Sequence, residues 1–169
     1  GVLYCADKFL WEKQIAVTYE YDQSQVEANG IVYTQQQSDR LPNTTKKLAN
    51  NESLKVLFYG DSIFAGGDAS SGRGREPMMP TMDVLMAEYL RTISSGTITF
   101  DNISVGGWTV ENGLAALQPG GYSGKDYSQY SGYDLLMLSF GMNNAGTSAE
   151  SFKATTQEIV ETIKEKNPN

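Results

Sequence analysis

"LKVLFYGDSIFAGGDASSGRG", residues 54–74, is the stretch that decides the fold. Its first six residues form a short apolar run, which is typical of a parallel strand covered on both faces. The rest is rich in glycine, serine and aspartate, and it predicts a loop. Ser62 lies where the strand becomes the loop. The chain contains no histidine, so the activation of such a serine needs a separate explanation.

Strand-like and helical segments alternate after this stretch. Apolar residues recur at helical spacing over residues 82–93, and a second strand is predicted over residues 98–105. A short helix over residues 110–117 and a third buried strand over residues 135–140 follow. Thr147 and Glu150 predict a capping box for a last helix. Three successive strand–helix units predict right-handed crossovers and a parallel sheet between helices, which is an α/β fold.

The first 53 residues have a different pattern. Residues 14–21 alternate apolar and polar side chains, and an Asn-Gly turn signal precedes a β-like run over residues 31–33. Residues 35–53 are polar and indicate a linker that can hold one short helix. We therefore expect residues 1–34 to be the C-terminal remnant of a β domain. Residues 54–169 are then the N-terminal part of an α/β domain.

Composition and charge restrict the classes of function. The 169 residues carry a net charge of −7 and no basic run longer than Lys46-Lys47, which argues against binding to nucleic acid. The sequence shows no apolar segment of about 20 residues, so we expect no membrane span. One cysteine excludes an internal disulfide and a cysteine metal cage. We expect no metal and no cofactor, and the sequence leaves the oligomeric state open.

Three glycine-containing segments are predicted at the carboxyl ends of the three strands, where parallel sheets bind ligands. They are "GDSIFAGG", "NISVGGWT" and "GMNNAG". Each segment alone is typical of ordinary turn chemistry, and Gly106-Gly107 by itself can be a plain tight bend. Their order at three successive strand ends is much more specific.

In this order the segments resemble the SGNH (GDSL-type) hydrolase superfamily. The "GDS" of residues 60–62 matches its first block, the glycine in "NISVGGWT" its second, and the "GMN" of residues 141–143 its third. The resemblance runs from Lys55 to the end and implies a partial flavodoxin-like three-layer fold. Asn144 stands where the family pattern has Asp, and the fourth block, Asp-x-x-His, is missing. The polar lead-in after β-like sequence also resembles carbohydrate esterases that carry an N-terminal β-sandwich.

The resemblance implies acyl transfer by a serine nucleophile. Ser62 would attack the ester, and the oxyanion would be stabilised by the backbone N–H groups of Ser62 and Gly107 and by the Asn143 side-chain amide. Asp61 is expected to orient the loop and to help bind substrate. Trp108 is expected to offer an aromatic surface to a sugar. The substrate would be an acylated small molecule or carbohydrate.

The missing histidine leaves two interpretations open. A serine hydroxyl is a weak nucleophile without a base, so one interpretation is a non-catalytic carbohydrate-binding module on a degenerate SGNH fold. The other is a serine esterase, a carbohydrate O-deacetylase, whose Asp-x-x-His follows residue 169. The final "KNPN" is typical of a helix stop before a further strand, which favours truncation at both ends. Residues 1–169 alone are then expected to be inactive, and action on a polysaccharide would imply a secreted or cell-surface location.

Overall fold

The computed structural model describes residues 18, 20, 22 and 40–168. Residue contacts divide the chain into two compact units, residues 1–42 and residues 43–169. In the first unit the described residues are three isolated exposed positions and residues 40–42. The β-like segments predicted over residues 14–21 and 31–33 therefore lie, apart from two of those isolated positions, outside the described residues.

The second unit is built on a three-stranded parallel sheet. The central strand β1 (Leu54–Gly60) lies between β2 (Ile98–Asn102) and β3 (Leu135–Ser139), so the strand order is β2-β1-β3. Leu54 aligns with Ile98 on one side of β1, and Val56 aligns with Leu135 on the other. The apolar side chains of β1 are buried, because this strand is paired on both edges and covered on both faces.

Four helices accompany the sheet in the part of the chain that the structure describes. They are α1 (Pro42–Ala49), α2 (Met82–Ile93), α3 (Val110–Ala116) and α4 (Ala149–Lys166). A short 3-10 turn, Ser71–Arg73, lies in the loop between β1 and α2. The alternation of parallel strands and helices confirms the predicted α/β class and is consistent with a partial flavodoxin-like SGNH fold.

Two apolar cores lie on opposite faces of the sheet, because successive side chains of a strand point to opposite faces. Val56 and Phe58 pack on one face with Leu90 of α2. Leu57 and Tyr59 pack on the other face, where α3 and α4 contribute a second set of buried residues. The sheet is therefore the middle of three layers.

Helix α2 has the predicted bounds, but only one edge of its apolar stripe is buried. Its buried residues are Asp83, Ala87 and Leu90. Met86 is half-buried against the same core as Leu90, and the other apolar residues at helical spacing are exposed: Met82, Leu85, Tyr89 and Ile93. Periodicity identified the helix, whereas packing against β2 determined which side faces the core.

The predicted capping box of α4 is wrong. The helix begins at Ala149, and the side chain of Ser148 caps it by accepting a hydrogen bond from the backbone N–H of Ser151. Thr147 lies one residue before the N-cap position of α4. It belongs to the preceding turn, in which its backbone N–H donates to the carbonyl oxygen of Asn144 at 2.9 Å. Its hydroxyl is thereby directed towards α3 and not towards α4.

Helix α1 falls inside the segment that the sequence indicated as a linker. Its Thr44 hydroxyl donates to the Asp134 carbonyl oxygen, and the Lys47 ammonium lies 2.6 Å from the Asp134 carboxylate. Leu48 packs against the same core as Val56. These contacts attach α1 to the sheet, and residues 43–53 belong to the same compact unit as the three strands.

Candidate active site

Ser62 lies in the first turn after β1, at the carboxyl edge of the sheet, and is half-buried. The strand ends at Gly60, where an added Cβ would collide with the backbone carbonyl oxygen of Ser139 on β3. Only glycine lets the two backbones approach this closely. The close packing of β1 on β3 therefore determines where the chain leaves the sheet and where Ser62 is presented.

Backbone hydrogen bonds fix the loop that carries Ser62. The Gly67 N–H donates to the Ser62 carbonyl oxygen at 2.9 Å, and the Ala65 N–H donates to the Asp61 carbonyl oxygen at 3.0 Å. The Arg73 side chain adds a third link, since its Nε donates to the Gly67 carbonyl oxygen at 2.6 Å. Backbone hydrogen bonds within the turn therefore hold Ser62, and the Arg73 side chain, from a later part of the same loop, adds a further hydrogen bond to this turn.

Asp61 lies beneath this turn, with 1% of its surface exposed. Its backbone N–H donates to the Ser139 carbonyl oxygen at 3.0 Å, and its Oδ1 accepts from the Ile63 N–H at 3.0 Å. Among the described residues, its Oδ2 is buried without a hydrogen-bond partner. These contacts hold Asp61 at the start of the loop, while a direct contact of Asp61 with substrate stays a prediction.

The segment with two glycines passes directly beside Ser62. The Val105 N–H donates to the Gly60 carbonyl oxygen at 3.0 Å, which extends the pairing of β1 beyond the end of β2. A Cβ built on Gly106 would lie 3.7 Å from the Cβ of Ser62. Gly107 has a φ of +81°, a left-handed conformation that favours glycine. Gly106 is thus the immediate neighbour of Ser62, and the oxyanion role of Gly107 stays a prediction.

Asn143 is half-buried on the loop after β3 and contacts the same segment. Its Nδ2 donates to the Trp108 carbonyl oxygen at 2.8 Å. A carboxamide nitrogen has two N–H groups, so this bond orients the amide and leaves one donor for a ligand. The contact connects the third glycine segment to the second at the edge where Ser62 lies.

Trp108 is buried at 7% exposure, and its ring belongs to the core. It packs edge to face against Tyr122, with ring centroids 5.6 Å apart, and also contacts Tyr127. The indole therefore packs against other aromatic rings, and Tyr122, 41% exposed, is the more accessible ring of the Trp108–Tyr122 pair. Stacking of a sugar on Trp108 stays a prediction that this burial does not favour.

Asn144 is the residue whose importance the sequence did not reveal. Its Oδ1 accepts from the Val110 N–H at the start of α3 at 3.1 Å, and its Nδ2 donates to Glu111 Oε2 at 2.9 Å and to Thr147 Oγ1 at 3.1 Å. The Thr147 hydroxyl in turn donates to Glu111 Oε1 at 3.4 Å. We call Asn144, Glu111 and Thr147 the amide clamp. It joins the loop that carries Asn143 to the N-terminus of α3.

The carboxylate of the clamp is stabilised in its ionised form. Hydrogen bonds with the Thr109 side chain, with its own backbone N–H and with the clamp partners hold the pKa of Glu111 below its ordinary value. Thr109 also caps α3 in a reciprocal capping box with Asn112. The helix begins at Val110, as the predicted helix over residues 110–117 does, and this capping box fixes that start.

A cavity of about 290 Å³ opens beside the serine. Its lining residues are Ser62, Ile63, Gly66, Asp68, Ala69 and Met82. We call it the Ser62 cavity. A second cavity, of about 350 Å³, lies at the opposite end of β1, next to Lys47 and Asp134 and away from the glycine segments.

In the described part of the chain, no cluster of three histidine, cysteine or acidic side chains could hold a metal ion.

The fold and this edge agree with a family match. The family model for GDSL-like Lipase/Acylhydrolase matches residues 56–169, from β1 through all three glycine segments. The chain belongs to the GDSL-like lipase/acylhydrolase family. A comparison with curated proteins gave no match. Within the ranges that the structure describes, none of the helices of this GDSL-like domain has the length and apolar character to cross a membrane.

Membership of the GDSL-like family supports a general ester hydrolase or acylhydrolase function. The structure brings Ser62 and Gly106 together and places Asn143 next to Trp108, two residues further along the same segment. The buried Asp61 carboxylate supports the loop that carries Ser62, and the amide clamp supports the loop that carries Asn143. This arrangement places Ser62, the candidate nucleophile, and the candidate oxyanion donors at one edge of the sheet.

Proposed function

We propose that this GDSL-like domain is a serine ester hydrolase that acts on an acylated carbohydrate, with acetyl as the simplest acyl group. The observation that carries the proposal is the position of Ser62 at the end of β1, in contact range of Gly106 and on the same edge as Asn143. Family membership supports the reaction class. The carbohydrate alcohol and the acetyl group rest on the resemblance to carbohydrate esterases alone.

The mechanism follows from the chemistry of these groups. The Ser62 hydroxyl loses its proton to a base while its Oγ attacks the ester carbonyl carbon, and the carbonyl oxygen gains negative charge. The N–H groups of Ser62 and Gly107 and the free amide N–H of Asn143 would stabilise that charge. The alcohol leaves with a proton, and water then hydrolyses the acyl-enzyme. No step requires a metal or a cofactor.

The proton acceptor is the missing element in these 169 residues, because they contain no histidine. We propose that a histidine outside residues 1–169 provides it, held by an aspartate in the order Asp-x-x-His. Without this base we expect residues 1–169 to show only the residual rate that oxyanion stabilisation and binding leave, roughly 10³–10⁴-fold over water in a triad enzyme.

Chemical rescue tests the proposal with the chain as it is. Hydrolysis of p-nitrophenyl acetate is followed at pH 7.5 with increasing imidazole, and the rate of imidazole alone is subtracted. We expect a protein-dependent rate that rises with imidazole and disappears in Ser62→Ala. Ser71→Ala, in the same loop but outside the Ser62 cavity, is the matched control and should keep the rate. Equal rates for Ser62→Ala and the unmodified chain at every imidazole concentration would refute the nucleophile assignment.

A carbohydrate-binding module is the second candidate function. It is supported by the absence of histidine and by the exposed ring of Tyr122 beside Trp108. Calorimetric titration with acetylated and unacetylated oligosaccharides separates the two functions. Binding that is lost in Tyr122→Ala and unchanged in Ser62→Ala, together with no imidazole rescue, would favour the module.

A further inference from the structure

Asn102, the last residue of β2, has a half-buried side chain that the mechanism above does not use. Its Nδ2 donates two hydrogen bonds, to the Phe64 carbonyl oxygen at 2.7 Å and to Asp83 Oδ2 at 2.8 Å. Its Oδ1 accepts from the Ser104 N–H at 3.0 Å. Both N–H groups of this carboxamide are therefore used within the protein. We call the two side chains the Asn102–Asp83 pair.

The pair connects the two loops that meet at Ser62. Phe64 belongs to the turn that presents Ser62 and follows this serine by two residues. Asn102 precedes Gly106, the immediate neighbour of Ser62, by four residues. Backbone pairing of this segment with β1 extends to the Val105 N–H. The hydrogen bond from Asn102 to the Phe64 carbonyl oxygen adds a side-chain link between the turn and the glycine segment.

Asp83 determines how the Asn102 amide points. It lies in the first turn of α2 at 7% exposure, and among the described residues its Oδ1 is buried without a hydrogen-bond partner. A buried carboxylate oxygen without a partner costs free energy, and a place in the first turn of a helix offsets part of that cost. A carboxylate is also a strong acceptor, so it fixes one N–H of the planar amide. The second N–H is then directed at the Phe64 carbonyl oxygen.

We propose that Asn102 and Asp83 are positioning residues for ester hydrolysis at Ser62. The inference rests on the proposed function, in which the Ser62 and Gly107 N–H groups come from two different loops. Oxyanion stabilisation needs these donors aligned before the reaction. Asn102 holds the turn of Ser62 against the glycine segment, and Asp83 acts through Asn102 by orienting its amide. Neither side chain needs to contact the substrate.

Imidazole-dependent hydrolysis of p-nitrophenyl acetate measures this role. Asn102→Ser removes both amide donors and introduces no charge. We expect the Ser62-dependent rate at saturating substrate to fall about 10-fold to 100-fold, because a misplacement of about 1 Å has an effect of this size. KM should change little, because the oxyanion contacts form in the transition state.

Tyr133→Phe is the matched control for a loss of stability. It removes a 2.7 Å hydrogen bond to Asp101, whose side chain lies on the opposite face of β2 from that of Asn102. This variant should lower the urea midpoint and keep the rate.

An exchange of the two groups separates positioning from stability. In Asn102→Asp combined with Asp83→Asn, the amide at position 83 can donate to the carboxylate at position 102, which restores the hydrogen bond between them. The Phe64 carbonyl oxygen stays without its donor. We expect the urea midpoint to recover most of the loss of Asn102→Asp, while the rate stays about 10-fold low or lower. Asp83→Asn alone keeps an acceptor oxygen and should keep most of the rate, whereas Asp83→Ala should lower it.

The outcomes separate this inference from the proposed function. Far-ultraviolet circular dichroism confirms that each variant is folded, and Asn102→Ser and Asp83→Ala decide the result where Asn102→Asp does not fold. An unchanged rate in Asn102→Ser, or an equal fall in Tyr133→Phe, overturns the positioning role and leaves the nucleophile assignment intact. A rate that recovers together with the urea midpoint in the exchange variant also overturns it, because the pair is then structural alone. Equal rates for Ser62→Ala and the unmodified chain contradict the proposed function, and the inference with it.

Discussion

The amide clamp makes a sharp prediction for Asn144→Asp, the substitution that restores the family pattern. The present amide donates to Glu111 Oε2 at 2.9 Å and to Thr147 Oγ1 at 3.1 Å, and Asn144 is buried at 8% exposure. A carboxylate in its place removes both donors and places an anion directly against the Glu111 carboxylate. Restoring the family residue is therefore expected to destabilise this protein.

Two effects set the magnitude. A hydrogen bond to a charged group contributes about 1.5–3 kcal/mol, and the loss of this bond accounts for most of the destabilisation. Repulsion between two carboxylates a few ångströms apart adds about 1 kcal/mol, since Glu111 is exposed and its charge is screened by water. We therefore expect Asn144→Asp to lower the free energy of unfolding by about 2–4 kcal/mol at pH 7.

The effect should shrink at lower pH. The pKa of Glu111 is lower in the folded protein than in the unfolded chain, where it is about 4.3. The ionised Glu111 therefore stabilises the fold at pH values above the unfolded pKa, and this contribution is lost as the pH falls through the folded pKa. In Asn144→Asp, acidification instead protonates one of the two carboxyl groups, which removes the repulsion and supplies a donor. The difference between the two proteins is thus largest near pH 7 and falls towards pH 4.

Urea unfolding, followed by tryptophan fluorescence and far-ultraviolet circular dichroism at pH 7 and pH 4.5, measures this difference. Glu111→Gln combined with Asn144→Asp should recover at least half of the loss, because the new amide can donate to the introduced carboxylate. Glu111→Gln alone is the control. A loss below about 0.5 kcal/mol at pH 7, within the range of ordinary surface substitutions, would refute the clamp. So would the absence of recovery in the double variant.

Three further substitutions test the site and its support. Asn143→Ala should lower the imidazole-dependent, Ser62-dependent rate by about 10²–10³, as loss of one oxyanion donor does, and an unchanged rate would remove Asn143 from the mechanism. Gly60→Ala should cost about 1–3 kcal/mol in urea unfolding because its methyl group collides with the Ser139 carbonyl oxygen; a neutral result would contradict the close approach. Tyr133→Phe removes the 2.7 Å hydrogen bond to Asp101 that depresses the pKa of that carboxyl, so about 0.5–1.5 kcal/mol should be lost at pH 7 and less below pH 4. An equal loss at both pH values would contradict that hydrogen bond.

Local patterns predicted the elements of the sheet unit well. The apolar run that begins at Leu54 became the central strand, and helical spacing gave the bounds of α2, because both signals depend on neighbouring residues. The end of β2 differs from the predicted one for a physical reason. Its regular pairing stops at Asn102, yet the N–H groups of Ile103 and Val105 still donate to β1 carbonyl oxygens.

Features that depend on distant parts of the chain could not be predicted from local sequence. Glu111 and Asn144 are separated by 33 positions, so no local sequence pattern around either residue predicts their contact. The exposed stripe of α2 is another case, because its apolar residues satisfy helical spacing whether or not a neighbour covers them. The sequence predicted that three glycine segments meet at one edge, but not which polar residues would hold them there.

At the edge that carries Ser62, one side is fixed by polar hydrogen bonds and the other is lined by exposed apolar side chains. On the side of the loops after β2 and β3, positions are fixed by hydrogen bonds of buried or half-buried polar groups, such as Asn143 to Trp108 and Asn144 to Val110. On the side of the Ser62 cavity, exposed apolar side chains such as Met82 form the wall without fixed partners of this kind. Charge stabilisation needs donors held in place before the reaction. Substitutions in the clamp are therefore expected to change the rate for every acyl group.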